Sequence, residues 1–306
     1  MPPEKRLTER DLQLLEAVIK CGVISSKQAQ EIYGVDNYHY KRISKLIDRG
    51  YLIRTGRHIQ ATPLGAKVFC EISGQEDNLT PVRIREPWQR KQKENVARIY
   101  FGLKNWHFMT SREIKKEKGI SNSAFINCYV SNNGKGYAVY MLSSDPKKST
   151  VRGIKSELDR LIEHGISKAI IFCPKPESMR KFGTYSGRSI NELLLLPFPF
   201  GLNLLNSMES LNQIIQNKFH GFIPSNRPFA DYEKGNTLVS VLIYNDLVKK
   251  EHLADYLSYT KKREGREIII ACLESQAAQF AAQFPGVKQH VIPDPKESDQ
   301  NASNAS

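Results

Sequence analysis

Lys41, Arg42, Lys45 and Arg49 recur at intervals of one, three and four residues, with Tyr38 one turn ahead of Lys41 and Arg42. In a helix they make a single cationic stripe. Cations on one helix face attract phosphate, and polar side chains near the helix start can reach base edges in a groove. Between Asn37 and Arg57 six Lys and Arg residues stand against one acid, Asp48. Tyr40, Ile43 and Ile47 take the other face and are expected to meet a core. A solvated basic face is the plainer reading of such a stripe, but here more follows it. Gly50 ends the helix, and residues 51–54 and 59–62 read as strands paired across Gly56-Arg57-His58. The candidate contacts to duplex DNA are Ser26, Lys27, Asn37, Tyr38, His39, Lys41, Arg42, Lys45, Arg49, Arg54, Arg57 and His58.

Other chemistries lack their spacings. SSDPKKST sets Lys148 before Ser149 without the glycines whose amides would cradle a phosphate. Gly183 and Gly187 stand too far apart for a dinucleotide loop and read as part of a surface loop with Lys181 and Arg188. Glu251, His252 and Asp255 cluster within one helical turn, which is more simply a salt-bridging face. The five cysteines lie far apart and mostly in apolar runs, as reduced buried thiols do. No metal, cofactor or catalytic residue is assigned.

Thr8 followed by Glu9, Arg10 and Asp11 reads as a helix cap, and Leu12, Leu15, Val18 and Ile19 continue a helical stripe. Ser25 and Ser26 cap a second helix, whose Ala29, Ile32 and Tyr33 pack on the first while Lys27 and Gln28 stay outside. Gly34-Val35-Asp36 turns into the basic helix, and Thr62-Pro63-Leu64-Gly65 opens a short helix to Ile72. The segments LTERDLQLLEAV, SSKQAQEIYG, the basic helix, YLIR and ATPLG resemble the winged helix-turn-helix of bacterial plasmid and conjugative-element proteins of the replication-relaxation type, over about the first quarter of the chain. The resemblance implies a role in plasmid or mobile-element replication, mobilisation or its regulation. A relaxase or replication initiator is the implied protein partner.

Residues 75–87 are polar with two prolines and read as a linker. The expected domains are thus 1–74 and 88–293, followed by a disordered tail, 294–306. Residues 88–104 form a basic amphipathic helix that either adds phosphate contacts or packs on the second domain with a solvated back. Beyond it, strands at 124–130 and 137–142 flank SNNGKG, and further strands alternate with helices, as in a covered α/β sheet. This order resembles a restriction-endonuclease-like core, in which the second domain of replication-relaxation proteins is sometimes placed. An active core of that type needs an Asp and a Glu-x-Lys on adjacent strands to hold a metal. AFINCYVS and YAVYMLSS supply neither, so the core is expected to be degenerate. Asp145, Lys147, Glu157 and Asp159 nearby read as solvated charges.

A net charge of +13 on 306 residues suits a polyanionic partner. The N-terminus has no apolar signal core, and no apolar run approaches a membrane span, so a cytoplasmic protein is expected. The expectation is an α+β winged helix-turn-helix followed by an α/β domain that joins a second copy or another protein. Its expected function is sequence-specific double-stranded DNA binding without catalysis. A transcription regulator is one alternative, and a nuclease with acids gathered from distant segments is another.

Overall fold

The first helix, α1 (Glu9–Cys21), opens on a reciprocal cap in which the Thr8 side chain accepts from Asp11 N and the Asp11 carboxylate accepts from Thr8 N. The same device, built from Ser25 and Gln28, starts α2 (Ser26–Tyr33) directly after the two-residue strand β1 (Ile24–Ser25). Gln28 is therefore buried and not outside as its polarity suggests. Next come α3 (Tyr38–Asp48), β2 (Leu52–Thr55), β3 (His58–Ala61), α4 (Pro63–Ser73) and α5 (Pro87–Gly102). The computed structural model describes residues 7–34, 37–74, 81, 84–187 and 189–295, which leaves the turn residues Val35 and Asp36, and Arg188, outside it.

The three strands pair antiparallel in the order β1-β3-β2. Thr55 faces His58, so the hairpin closes on Gly56-Arg57, with Gly56 at φ 59° as such a tight turn demands. Gly65 in α4 is needed for a different reason. A Cβ there would stand 2.2 Å from the Tyr51 carbonyl oxygen, so only glycine lets α4 lie against the start of the hairpin. Leu14, Leu15, Val18, Ile43, Leu46, Leu52, Ile59 and Phe69 form the core of this group.

Helix α5 closes the same core, with Ala97 fully buried in it and Tyr100 and Phe101 packed against it. The first compact unit accordingly runs to Lys104, and the second begins at Asn105. This moves the expected boundary at 75–87, because α5 finds its apolar partners among α1 and its neighbours. Its approach is also pinned: Ile84 N donates to Gln60 Oε1 at 2.8 Å, and Gln60 Nε2 donates to Ile84 O at 3.2 Å. The remainder of the expected linker falls mostly outside the described residues.

The second unit holds β4 (His107–Thr110), α6 (Ser111–Lys118), β5 (Cys128–Asn132), β6 (Lys135–Met141), α7 (Lys148–Arg160), β7 (Lys168–Cys173), α8 (Pro176–Phe182) and β8 (Glu192–Pro197). Their sheet order is β4-β5-β6-β7-β8, antiparallel up to β6 and parallel after it. The expected hairpin is present and turns on Asn133-Gly134, both at positive φ. After α9 (Phe200–Asn206) and α10 (Met208–Lys218) come β9 (Ile223–Pro224), β10 (Tyr232–Lys234), β11 (Thr237–Val241), α11 (Leu247–Asp255), α12 (Lys261–Glu264), β12 (Glu267–Leu273), α13 (Glu274–Gln283) and β13 (Lys288–Ile292). Their sheet has the order β9-β10-β11-β12-β13, again antiparallel up to its third strand and parallel after it. One topology is thus used twice.

Asp294, the first residue of the expected tail, is bonded to the second unit, where Ser275 N and Oγ donate to its carboxylate at 3.1 and 2.7 Å. Residues 296–306 lie outside the described residues. The whole is a mixed fold of helices and several sheets, and no described helix is long and apolar enough to cross a membrane.

Candidate nucleic-acid interface

Helix α3 is amphipathic because its apolar positions, His39, Ile43 and Leu46, are spaced four and three apart and are at most 2% exposed. The core face is therefore rotated from the expected one. Tyr40 is outside, 47% exposed, and His39 is inside and available to no external ligand. The outer arc carries Tyr38, Lys41, Ser44 and Lys45 in solvent, preceded by Asn37, whose side chain makes no cap to the helix. Lys41 and Lys45 form no ion pair among the described residues, so both ammonium groups can meet a polyanion. Arg49, at the end of α3, is half-buried and already engaged.

Arg42 belongs to the stripe by spacing but turns inward. Its Nε donates to Asp11 Oδ1 at 3.0 Å and its Nη2 to Asp11 Oδ2. Asp11 is fully buried and also accepts from Tyr33 Oη at 2.7 Å. Burial pushes the Asp11 carboxyl up, but Arg42 and the Thr8 and Tyr33 donors outweigh it and hold it below its ordinary value. Arg42 is the counter-ion of a buried acid, which removes it from the expected DNA contacts.

Ser26 is also structural. It is 8% exposed, its N donates to Arg57 O at 3.0 Å, and its Oγ accepts from Arg54 Nη2 at 3.2 Å. These bonds clip the start of α2 to the hairpin and leave Lys27 and Arg54 exposed beside it. At the hairpin tip Arg57, with 61% of its side chain exposed, donates to Glu94 Oε2 of α5 at 2.9 Å. His58 Nε2 lies 3.2 Å from the same oxygen, and Lys91 and Arg98 approach the carboxylate at 3.6 and 3.5 Å. Burial raises the Glu94 carboxyl, but the His58 hydrogen bond and then the Lys91, Arg57 and Arg98 charges bring it below its ordinary value. One buried carboxylate under three permanent cations leaves this end of the unit positive. Arg57 is thus half-committed, and His58 serves as an anchor more than as a reader of DNA.

Phosphate contacts from α5 were one of two expectations, but the pairing of its buried Glu94 with the hairpin was not among them, although a signal was there. Glu94, Ala97 and Phe101 share one helical stripe, as do Asp11, Leu14, Leu15 and Val18. A carboxylate on an apolar stripe requires a cation from elsewhere in the chain.

Of the acids considered for metal chemistry in the second unit, Glu157 and Asp159 are tied into the fold, while Asp145 stays exposed as a solvated charge. Glu157 is 6% exposed and accepts from Phe125 N, Ile126 N and Tyr140 Oη at 2.6, 3.1 and 2.8 Å, which corrects its reading as a solvated charge. Asp159 accepts from Tyr185 Oη at 2.6 Å, and Asp145 pairs with Lys181. Among the described residues no three His, Cys, Asp or Glu side chains converge as metal ligands would. All five cysteines are buried and unbridged, and burial pushes Cys21 and Cys173 up to about 12. No family model, curated protein or solved structure matches this chain.

Proposed function

We propose that the first unit is a winged helix-turn-helix that binds duplex DNA, with α3 in the major groove and the β2–β3 hairpin on the adjoining backbone. The observation that carries this reading is the pair Lys41 and Lys45, unpaired on the outer arc of α3 beside Asn37 and Tyr38. Lys27, Arg54 and Arg57 add phosphate contacts, and Lys91 and Arg98 of α5 widen the positive surface next to the hairpin. Resemblance to replication-relaxation proteins supports an accessory or regulatory role in plasmid or mobile-element replication or mobilisation. In this reading the second unit engages a second copy or a relaxase or initiator. Its β4–β8 half is a degenerate relative of the restriction-endonuclease-like core, since β5 and β6 carry no acid.

Replacing Lys41 and Lys45 together with Ala tests the proposal without disturbing the core. If each meets one phosphate, the slope of log affinity against log salt falls by about 0.9 per residue, roughly 1.8 in all. Unchanged affinity and slope in a folded double variant would remove α3 from the interface.

A further inference from the structure

Lys250 lies on the inner face of α11 between Leu247 and Leu253, only 8% exposed, where an apolar residue would be expected. Its Nζ donates to Asn245 Oδ1 at 3.1 Å and stands 5.4 Å from the centre of the Phe280 ring. No carboxylate lies within ion-pair distance of it among the described residues. The neighbouring acids are otherwise placed: Asp246 caps α11 and accepts from Leu193 N, while Asp231 pairs with Lys249. Burial alone lowers the Lys250 ammonium to about 8.

The position is built and not accidental. Asn245 adopts φ 48°, donates through Nδ2 to Leu195 O at 2.7 Å, and accepts at its own carbonyl from Leu195 N at 3.3 Å. With Nδ2 fixed on that carbonyl, Oδ1 must face Lys250. The ammonium has three donors, and Asn245 uses one. Lys250 and Asn245 line a cleft of about 520 Å³ bordered by α8, α11 and α13, with Thr184, Arg180, Gln279 and Gln283 also on its walls. Arg180 at the rim is ion-paired with Glu177, and Glu251 is the one acid among the described lining residues. A cleft of this size holds a metabolite-sized molecule.

We propose that this cleft binds a small organic anion, whose carboxylate or phosphate group sits on Lys250 Nζ and is flanked by the Thr184, Gln279 and Gln283 side chains. The anion supplies the counter-charge that no described residue gives this buried ammonium. All the residues lining the cleft belong to the second unit, so this proposal does not rest on the reading of the first.

The test compares the full chain with Lys250→Met, a substitution of similar length that suits the apolar surroundings and keeps the fold. Thermal unfolding and titration calorimetry are followed with inorganic phosphate and with citrate, against chloride at matched ionic strength. The expected result is saturable binding and a raised unfolding midpoint in the native chain, with affinity at least tenfold weaker in Lys250→Met. A response to citrate alone identifies a carboxylate site, and one to phosphate alone identifies a phosphate site. No response to either anion in the native chain, or an equal response in Lys250→Met, would overturn the proposal.

Discussion

Residues of one chemical type in one stripe divide here into two kinds, and substitution distinguishes them. Lys41 and Lys45 end in solvent, so their loss touches only what they bind. Arg42 neutralises Asp11 inside the unit, so Arg42→Ala leaves an uncompensated buried charge, which costs about 3–5 kcal/mol. Chemical denaturation of the first unit reads this directly, and a variant as stable as the native chain would refute the role given to Arg42. Buried carboxylates also set the acid response. Asp11 and Glu94 both have folded values below their ordinary ones, so their contribution is fully present above the unfolded carboxylate range and is lost as pH falls through the folded values. Stability of the first unit measured from pH 6 to pH 2 is expected to fall in that direction. Asp11→Asn combined with Arg42→Met flattens part of that fall.

At the scale of elements, α5 is the piece whose allegiance matters. A chain ending at Ser73 keeps every element of the three-helix and hairpin array but exposes the core that Ala97, Tyr100 and Phe101 cover. It also releases His58 and Arg57 from Glu94. A fragment 1–104 is therefore expected to unfold cooperatively, and a fragment 1–74 to be markedly less stable and more rapidly cut by protease. Equal stability of the two fragments would return α5 to the role of a linker helix. Sequence made α5 legible as a helix, since its stripe is clear. It could not assign the partner, because a basic amphipathic helix fits any apolar surface it reaches.

For the whole molecule the question is what the second unit adds. Its two halves repeat one strand order, and the segment after β11 in the later half fastens to β8, the last strand of the earlier one, through Asn245 and Asp246. The duplication is nearly hidden in the sequence. HGISKAIIFC and REGREIIIACL share a glycine, a run of apolar residues and a cysteine, and little else. If this unit joins two chains, DNA binding becomes bivalent, and fragment 1–104 binds the same site roughly two orders of magnitude more weakly than the full chain. Sedimentation of the full chain with and without its DNA decides between partners. A dimer matches self-assembly, whereas a monomer in both states assigns the surface to a different protein.

The sequence by itself determined the elements whose signals are local. Caps at Thr8 and Ser25, the hairpin turn within SNNGKG, the helical stripe of α1 and the strands and helices that alternate after the hairpin all act within a few residues, so pattern alone locates them. It also located Lys41 and Lys45 on an outer face. Only the tertiary structure decided which cations are free. Arg42 meets Asp11 across 31 residues, and Arg57 meets Glu94 across 37. Such pairings depend on which buried carboxylate the folded chain brings within reach. Helical spacing places a side chain on a face, but the charge left for a ligand is set by neighbours that only packing supplies.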